Sequence, residues 1–244
     1  MKPRGPLAEV LLVFSGVAIA TFAITRLRAM PKGAEFVPLL VAAVFLFLAI
    51  RLAQREENGV ERYGLALGGL LAPPVDAPDG KFTFVRDLLR AIPKGLLELG
   101  AALLVALIIF PPFAFAFRFW FSVRAPFALS VPPDIGSMVL AQLIVVALPE
   151  EAFFRGYVQT RLGDAFPQRV RVLGVELSPS ALLLQSALFA LVHVVVDGRL
   201  VHLAVFFPGL LFGFMRAWRN GIGAALILHA LCNIYSEMLF GGIQ

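Results

Sequence analysis

Seven apolar runs, each about as long as a bilayer is thick, divide this chain and leave it little else to fold with. They are Leu7–Thr25, Ala34–Ile50, Leu96–Phe117, Ile135–Tyr157, Pro179–Val196, Leu200–Trp218 and Gly221–Phe240. Roughly 20 consecutive apolar residues cross the hydrocarbon core as an α-helix. Inside lipid, a helix is one of only two shapes that pair every backbone polar group. The sequence therefore predicts an all-α fold, a polytopic transmembrane helix bundle of about seven spans. Composition agrees: 59% of the residues are hydrophobic and 15% charged, where a soluble domain carries roughly 25% charge.

The start, Met1-Lys2-Pro3-Arg4 before an apolar run, has the look of a signal peptide with Ala18-Ile19-Ala20 as its cleavage site. The run continues to Thr25 and more spans follow, so a retained first span is expected. Arg51 to Ala91 is the one long polar interval, with turn pairs at Gly68-Gly69, Pro73-Pro74 and Asp79-Gly80. Within it, Phe82 to Ile92 reads as an interfacial helix leading into the third span. The single cysteine, Cys232, excludes an intramolecular disulfide and a cysteine metal cluster.

A net charge of +5 would suit nucleic acid, but the basic residues lie in short loops between spans, where they face lipid headgroups. No nucleic-acid partner is expected. The N-terminus and the second, fourth and sixth loops hold 15 of the 21 Lys and Arg, and the first, third and fifth loops hold 6. That bias predicts a cytoplasmic N-terminus in a multi-pass protein of the cell (inner, cytoplasmic) membrane, if the source is prokaryotic.

Ionisable residues inside such runs are costly, about 2.5–3.5 kcal/mol each by insertion scales, and are usually paired or functional. Glu150 and Glu151 end a long apolar stretch and are followed by Arg155. Glu151 and Arg155 are four apart with the acid first, the favourable order for an ion pair on a helix. Glu150 points about 100° away and is left to face a cavity. Pro149 frees a carbonyl one turn earlier, so a local kink is expected. Alternatively both carboxylates end the helix at the membrane surface, with Arg155 as a snorkelling anchor.

His193 lies in the fifth span one turn beyond Phe189, and His229 and Asn233 share a face of the last span. Together His229 and Asn233 can hold a carbonyl oxygen as it becomes negative; as plain structure they are interhelical glue. His202, near the start of the sixth span, reads as interfacial. Gly209 and Gly213 form a small-residue ridge for close helix packing, and Pro208 is expected to bend its helix.

Glu-Glu-x-x-x-Arg, then Phe-x-x-x-His, then His-x-x-x-Asn, each in a separate late span, resembles the CAAX-protease and bacteriocin-processing (CPBP, or Abi) family of intramembrane proteases. Phe207 to Gly213 also looks like that family's glycine-bearing helix. The likeness covers about Met138 to Asn233. It implies a CPBP-like catalytic core over residues 131–244, with residues 1–130 supplying N-terminal spans and the interfacial segment. It implies that Glu150 activates water with help from His193, that His229 and Asn233 form the oxyanion site, and that Glu151 and Arg155 support them. It implies an endopeptidase cutting near the C-terminus of a membrane-anchored or lipidated protein or peptide.

The expected mechanism is glutamic, with no cofactor and no metal. One alternative places zinc on His193, His229 and Glu150. The sequence lacks His-Glu-x-x-His, and Asn is a poor zinc ligand. Another alternative is a non-catalytic membrane protein that binds a peptide or confers immunity to it. Depth poses a problem for all three. Glu150 is about 22 Å beyond Ile135, toward the cytoplasmic end of its span, and His193 about 6 Å from Asp197, toward the outer end. For them to meet, the fourth span must begin later and continue past Tyr157, or Asp197 to His202 must be a re-entrant turn.

Overall fold

The computed structural model describes residues 5–69, 84–120, 122–123 and 127–242. Among them, seven helices are long and apolar enough to cross a membrane, one for each run in the sequence. The first two are α1 (Pro6–Thr25) and α2 (Gly33–Ala53). A 37-residue helix, α3 (Phe84–Trp120), follows. Then comes α4 (Ile135–Ala165), wound in two places with wider π turns. A small antiparallel hairpin, β1 (Val170–Val172) and β2 (Val175–Leu177), leads into α5 (Pro179–Asp197). A 3₁₀ turn, Leu200–Val205, precedes α6 (Phe206–Arg219), and α7 (Gly223–Gly241) completes the bundle.

Three expectations need correction. The interfacial helix expected from Phe82 to Ile92 is not a separate element: from Phe84 on it is the start of α3, which passes through Pro93 without a break. Phe82 and the pairs Pro73-Pro74 and Asp79-Gly80 lie outside the described residues, whereas Gly68 does turn, with a left-handed φ of 76°. Secondly, Pro208 does not bend α6. It stands in the first turn, where a missing N–H has no intrahelical partner to lose.

The third correction resolves the depth problem. The fourth span begins at Ile135 as expected but runs past Tyr157 to Ala165. Protein groups receive its polar last turns. Gln159 donates to the Gly213 carbonyl at 2.9 Å, Arg161 pairs with Glu9, and Asp164 accepts from Arg62 at 2.6 Å. Measured from the connection between α4 and α5, Glu150 is about 22 Å up one helix and His193 about 21 Å up the next. The two side chains are level.

Apolar helices gain no hydrophobic free energy by leaving lipid for one another, so close packing must hold them. Ala101, Ala102 and Ala106 of α3 meet Ala224, Ala225 and Leu228 of α7 in one buried cluster. A second cluster runs from Val10 and Phe14 of α1 through Phe45 of α2 to Phe153, Phe154 and Tyr157 of α4 and Phe189 of α5. The glycine ridge on α6 packs against α5: a Cβ on Gly209 would stand 3.2 Å from Ser186, and one on Gly213 would stand 2.6 Å from the Gln185 amide nitrogen. Leu107, Phe115 and Phe119 of α3 point outward and are exposed, as lipid-facing side chains are.

Candidate active site

Glu150 and Glu151 lie on a short α-helical stretch, Leu148–Glu151, between two π-wound segments, Gln142–Ala147 and Ala152–Val158. The Leu148 N–H bonds the carbonyl of Leu143, and the Gln159 N–H bonds that of Phe154, each five residues back. Pro149, with no N–H to give, explains why the ladder shifts just before it. The irregularity expected at Pro149 is therefore present as a widened turn. Such turns recur at functional sites.

Glu151 and Arg155 form a fully buried ion pair, Nη1 to Oε1 at 2.9 Å. The guanidinium lies 4.1 Å over the Phe189 ring and 5.1 Å from that of Phe212, and its Nη2 donates to the Gly209 carbonyl at 3.3 Å. A charge this deep is tolerable only because it is paired and further hydrogen-bonded. The same carboxylate oxygen also accepts from Nδ1 of His229 at 2.8 Å. That link between α4 and α7 is not legible in the sequence, where Glu151 is expected only to neutralise Arg155.

Two hydrogen bonds set the histidine tautomers. The Phe189 carbonyl, 2.7 Å from Nδ1 of His193, can only accept, so Nδ1 carries the proton. The Glu151 carboxylate, paired with Arg155, accepts from His229 and so places a proton on Nδ1 of that ring as well. Both rings thus turn Nε2 toward the same atom. His229 Nε2 is 3.8 Å from Oε2 of Glu150, and His193 Nε2 is 3.9 Å from it. That oxygen is buried with no hydrogen-bond partner. Each gap is too wide for a direct hydrogen bond and suits a bridging water.

Asn233 also faces the site, and its Nδ2 donates to Gln142 Oε1 at 2.8 Å. Gln142 begins the first wide turn of α4; its only sign in the sequence is a polar residue within an apolar run, two turns before Glu150. Gln185 is likewise missed: it is fully buried and donates to the Gly209 carbonyl at 3.0 Å, the acceptor that Arg155 also uses. Ring contacts complete the support: Phe212 stacks on His229 at 4.8 Å and 17°, and Phe189 meets His193 edge-on at 4.6 Å and 70°.

These groups line a cavity of about 500 Å³. Glu150, His193, His229, Asn233, Tyr235 and Ser236 are polar residues of its lining, and Phe110, Phe113, Phe189, Phe207, Leu211 and Phe212 form much of its apolar wall. Such a mixture holds an apolar ligand while a few polar groups fix its orientation. Glu151 and Arg155 stand behind it. The structure thus brings Glu150, His193, His229 and Asn233 to one cavity from three helices. Among the described residues, no group of three or more His, Cys, Asp or Glu side chains is arranged to hold a metal ion.

Residues 132–235 match the family model described as Rce1-like, type II CAAX prenyl endopeptidase. All six residues named from the motifs fall in that segment, so the resemblance to the CAAX proteases is borne out, and with it a protease family. No curated protein and no solved structure matches the chain.

Proposed function

From the premise that residues 132–235 carry an Rce1-like segment in a seven-span membrane protein, we propose that the chain is a glutamic intramembrane endopeptidase. It cuts near the C-terminus of a membrane-anchored or lipidated polypeptide. The observation that carries the reading is the convergence of two imidazole Nε2 atoms on the partnerless Oε2 of Glu150, at 3.8 and 3.9 Å, in the wall of an apolar cavity. A water held there gives its proton to Glu150 as its oxygen attacks the scissile carbonyl carbon. His193 Nε2 accepts a hydrogen bond from the water's other O–H, which stays on the attacking oxygen, and so orients it. The carbonyl π electrons move to oxygen, where the Asn233 amide and a protonated His229 donate to the developing charge. Collapse breaks the C–N bond, and the proton on Glu150 passes to the leaving amine.

Zinc is the competing reading, on Glu150, His193 and His229. Ligand atoms about 2.0–2.1 Å from a tetrahedral ion stand roughly 3.3 Å apart. The separations here are wider, at 3.8 and 3.9 Å, which supports water more than an ion. The experiment is cleavage of a labelled, lipidated C-terminal membrane peptide by purified protein. Activity that survives a strong chelator and disappears in Glu150→Ala, with the variant still folded in detergent, supports the glutamic mechanism. Activity lost to chelator and restored by zinc replaces that mechanism. No cleavage by the unaltered chain favours a peptide-binding protein.

A further inference from the structure

Glu150 and His193 line two cavities, and both extend toward the same end of the bundle. The one described above rises past Phe113 and Ser236 to Ala204, in the turn after α5. A second, of about 290 Å³, lies between α1, α2 and α5 and reaches Thr25, Arg28, Asp197 and His202. Its rim is charged: His202 Nδ1 is 3.0 Å from Asp197 Oδ2, and Arg28 is exposed. Water can therefore enter along it. Both cavities thus reach the end of the bundle where the first and fifth loops lie.

In the opposite direction the carboxylates are sealed. Phe153, Phe154, Tyr157 and Leu162 are buried to 1% exposure or less, as are Tyr63 and Ile222 from the facing loops. The charge distribution says which membrane face each end occupies. Leaving aside Arg155 in the middle of the bundle, the sealed end, with the N-terminus and the second, fourth and sixth loops, carries 14 of the 21 Lys and Arg and the open end 6. By the positive-inside rule the sealed end is cytoplasmic.

We propose that the reaction chamber opens to the non-cytoplasmic face, so that the scissile bond comes from an exported, membrane-anchored polypeptide and not from a tail displayed in the cytoplasm. The substrate half of this statement rests on the peptidase reading; the direction of opening rests only on the cavities and the charges.

Cysteine labelling in intact bacterial cells with a membrane-impermeant maleimide tests the direction. Leu200→Cys lies at the open end, where Leu200 is 73% exposed, and Leu173→Cys on the hairpin beyond the sealed end, where Leu173 is 90% exposed. The unaltered chain, with its one Cys232, sets the background. We expect Leu200→Cys to label in intact cells and Leu173→Cys only after permeabilisation. The reverse pattern, or equal labelling of both, overturns the proposal. In sealed vesicles, a single-span peptide should be cut when its C-terminal tail is on the Leu200 side; cutting only from the Leu173 side also overturns it. Detergent removes sidedness: failure to cut there overturns the peptidase reading alone, and the labelling still decides which way the chamber opens.

Discussion

Two clusters of charge hang from α4, a few turns apart, under opposite conditions. In the middle, Glu151 and Arg155 are fully buried and share their oxygen with His229. At the end, Arg161 and Asp164 join Glu9, Glu56 and Arg62, with side chains 17–38% exposed. The outer cluster has more bonds: Tyr63 donates to Glu56 at 2.6 Å, Tyr157 to Glu9 at 3.1 Å, and Arg161 to Asp164 at 2.9 Å. It should nonetheless matter less per residue, because water stands ready to replace each partner and salt screens what is left. The inner cluster has no such substitute. Counting ion pairs would rank the two the wrong way round.

The sharpest way to break this comparison is Glu151→Ala, which strands Arg155 in the bundle. The expected loss is about 3–5 kcal/mol, read as a collapse of the monodisperse fraction in detergent and of the melting temperature. Glu151→Leu with Arg155→Met removes both charges and should be milder than either single change. If the single change is as mild as the double, the buried pair is not what holds this region. Next in size is Asn233→Ala, expected to lower kcat by about 10²–10³-fold, or roughly 2.7–4 kcal/mol, with little change in KM. A raised KM at constant kcat would move Asn233 from the reacting oxygen to substrate recognition.

The outer cluster should yield smaller effects. Arg161→Ala is expected to cost about 1 kcal/mol, and less in high salt; a loss matching that of Glu151→Ala would erase the distinction. The smallest effect concerns acid. Burial works to raise the Glu56 carboxyl, but hydrogen bonds from Tyr63 and Arg62, with the charges of Arg62 and Arg161, outweigh it and leave Glu56 below its ordinary value of 4.5. A carboxyl lowered on folding contributes stability that is present above its unfolded value and lost as pH falls through the folded one. Thermal stability should therefore decline below pH 4.5, and Glu56→Gln should flatten that decline.

The seven spans could be read from the sequence because lipid leaves a chain few choices, and run length alone identifies a helix. Glu150, His193 and His229 could be named because costly ionisable groups stand out in apolar runs, and Asn233 because it lies one turn from His229 on the same face. What eluded the sequence is pairing between helices. Glu151 meets His229 across 78 positions, and Asn233 meets Gln142 across 91; no spacing rule reaches that far. The extent of α4 was misread for a related reason. Gln159, Arg161 and Asp164 resemble a helix leaving the membrane until their partners on Gly213, Glu9 and Arg62 are seen.

The widened turns of α4 also carry rotational phase. Winding Gln142–Ala147 with one residue more per turn than the α-helix needs offsets everything before it from everything after it by about 100°. Rewinding this stretch as ordinary α-helix with every residue kept would remove that offset. It would rotate Ile135–Gln142 against the carboxylates and carry the Gln142 amide off the face that meets Asn233. The stretch behaves as a gear with one tooth too many, and the surplus tooth sets the alignment of α4 with α7.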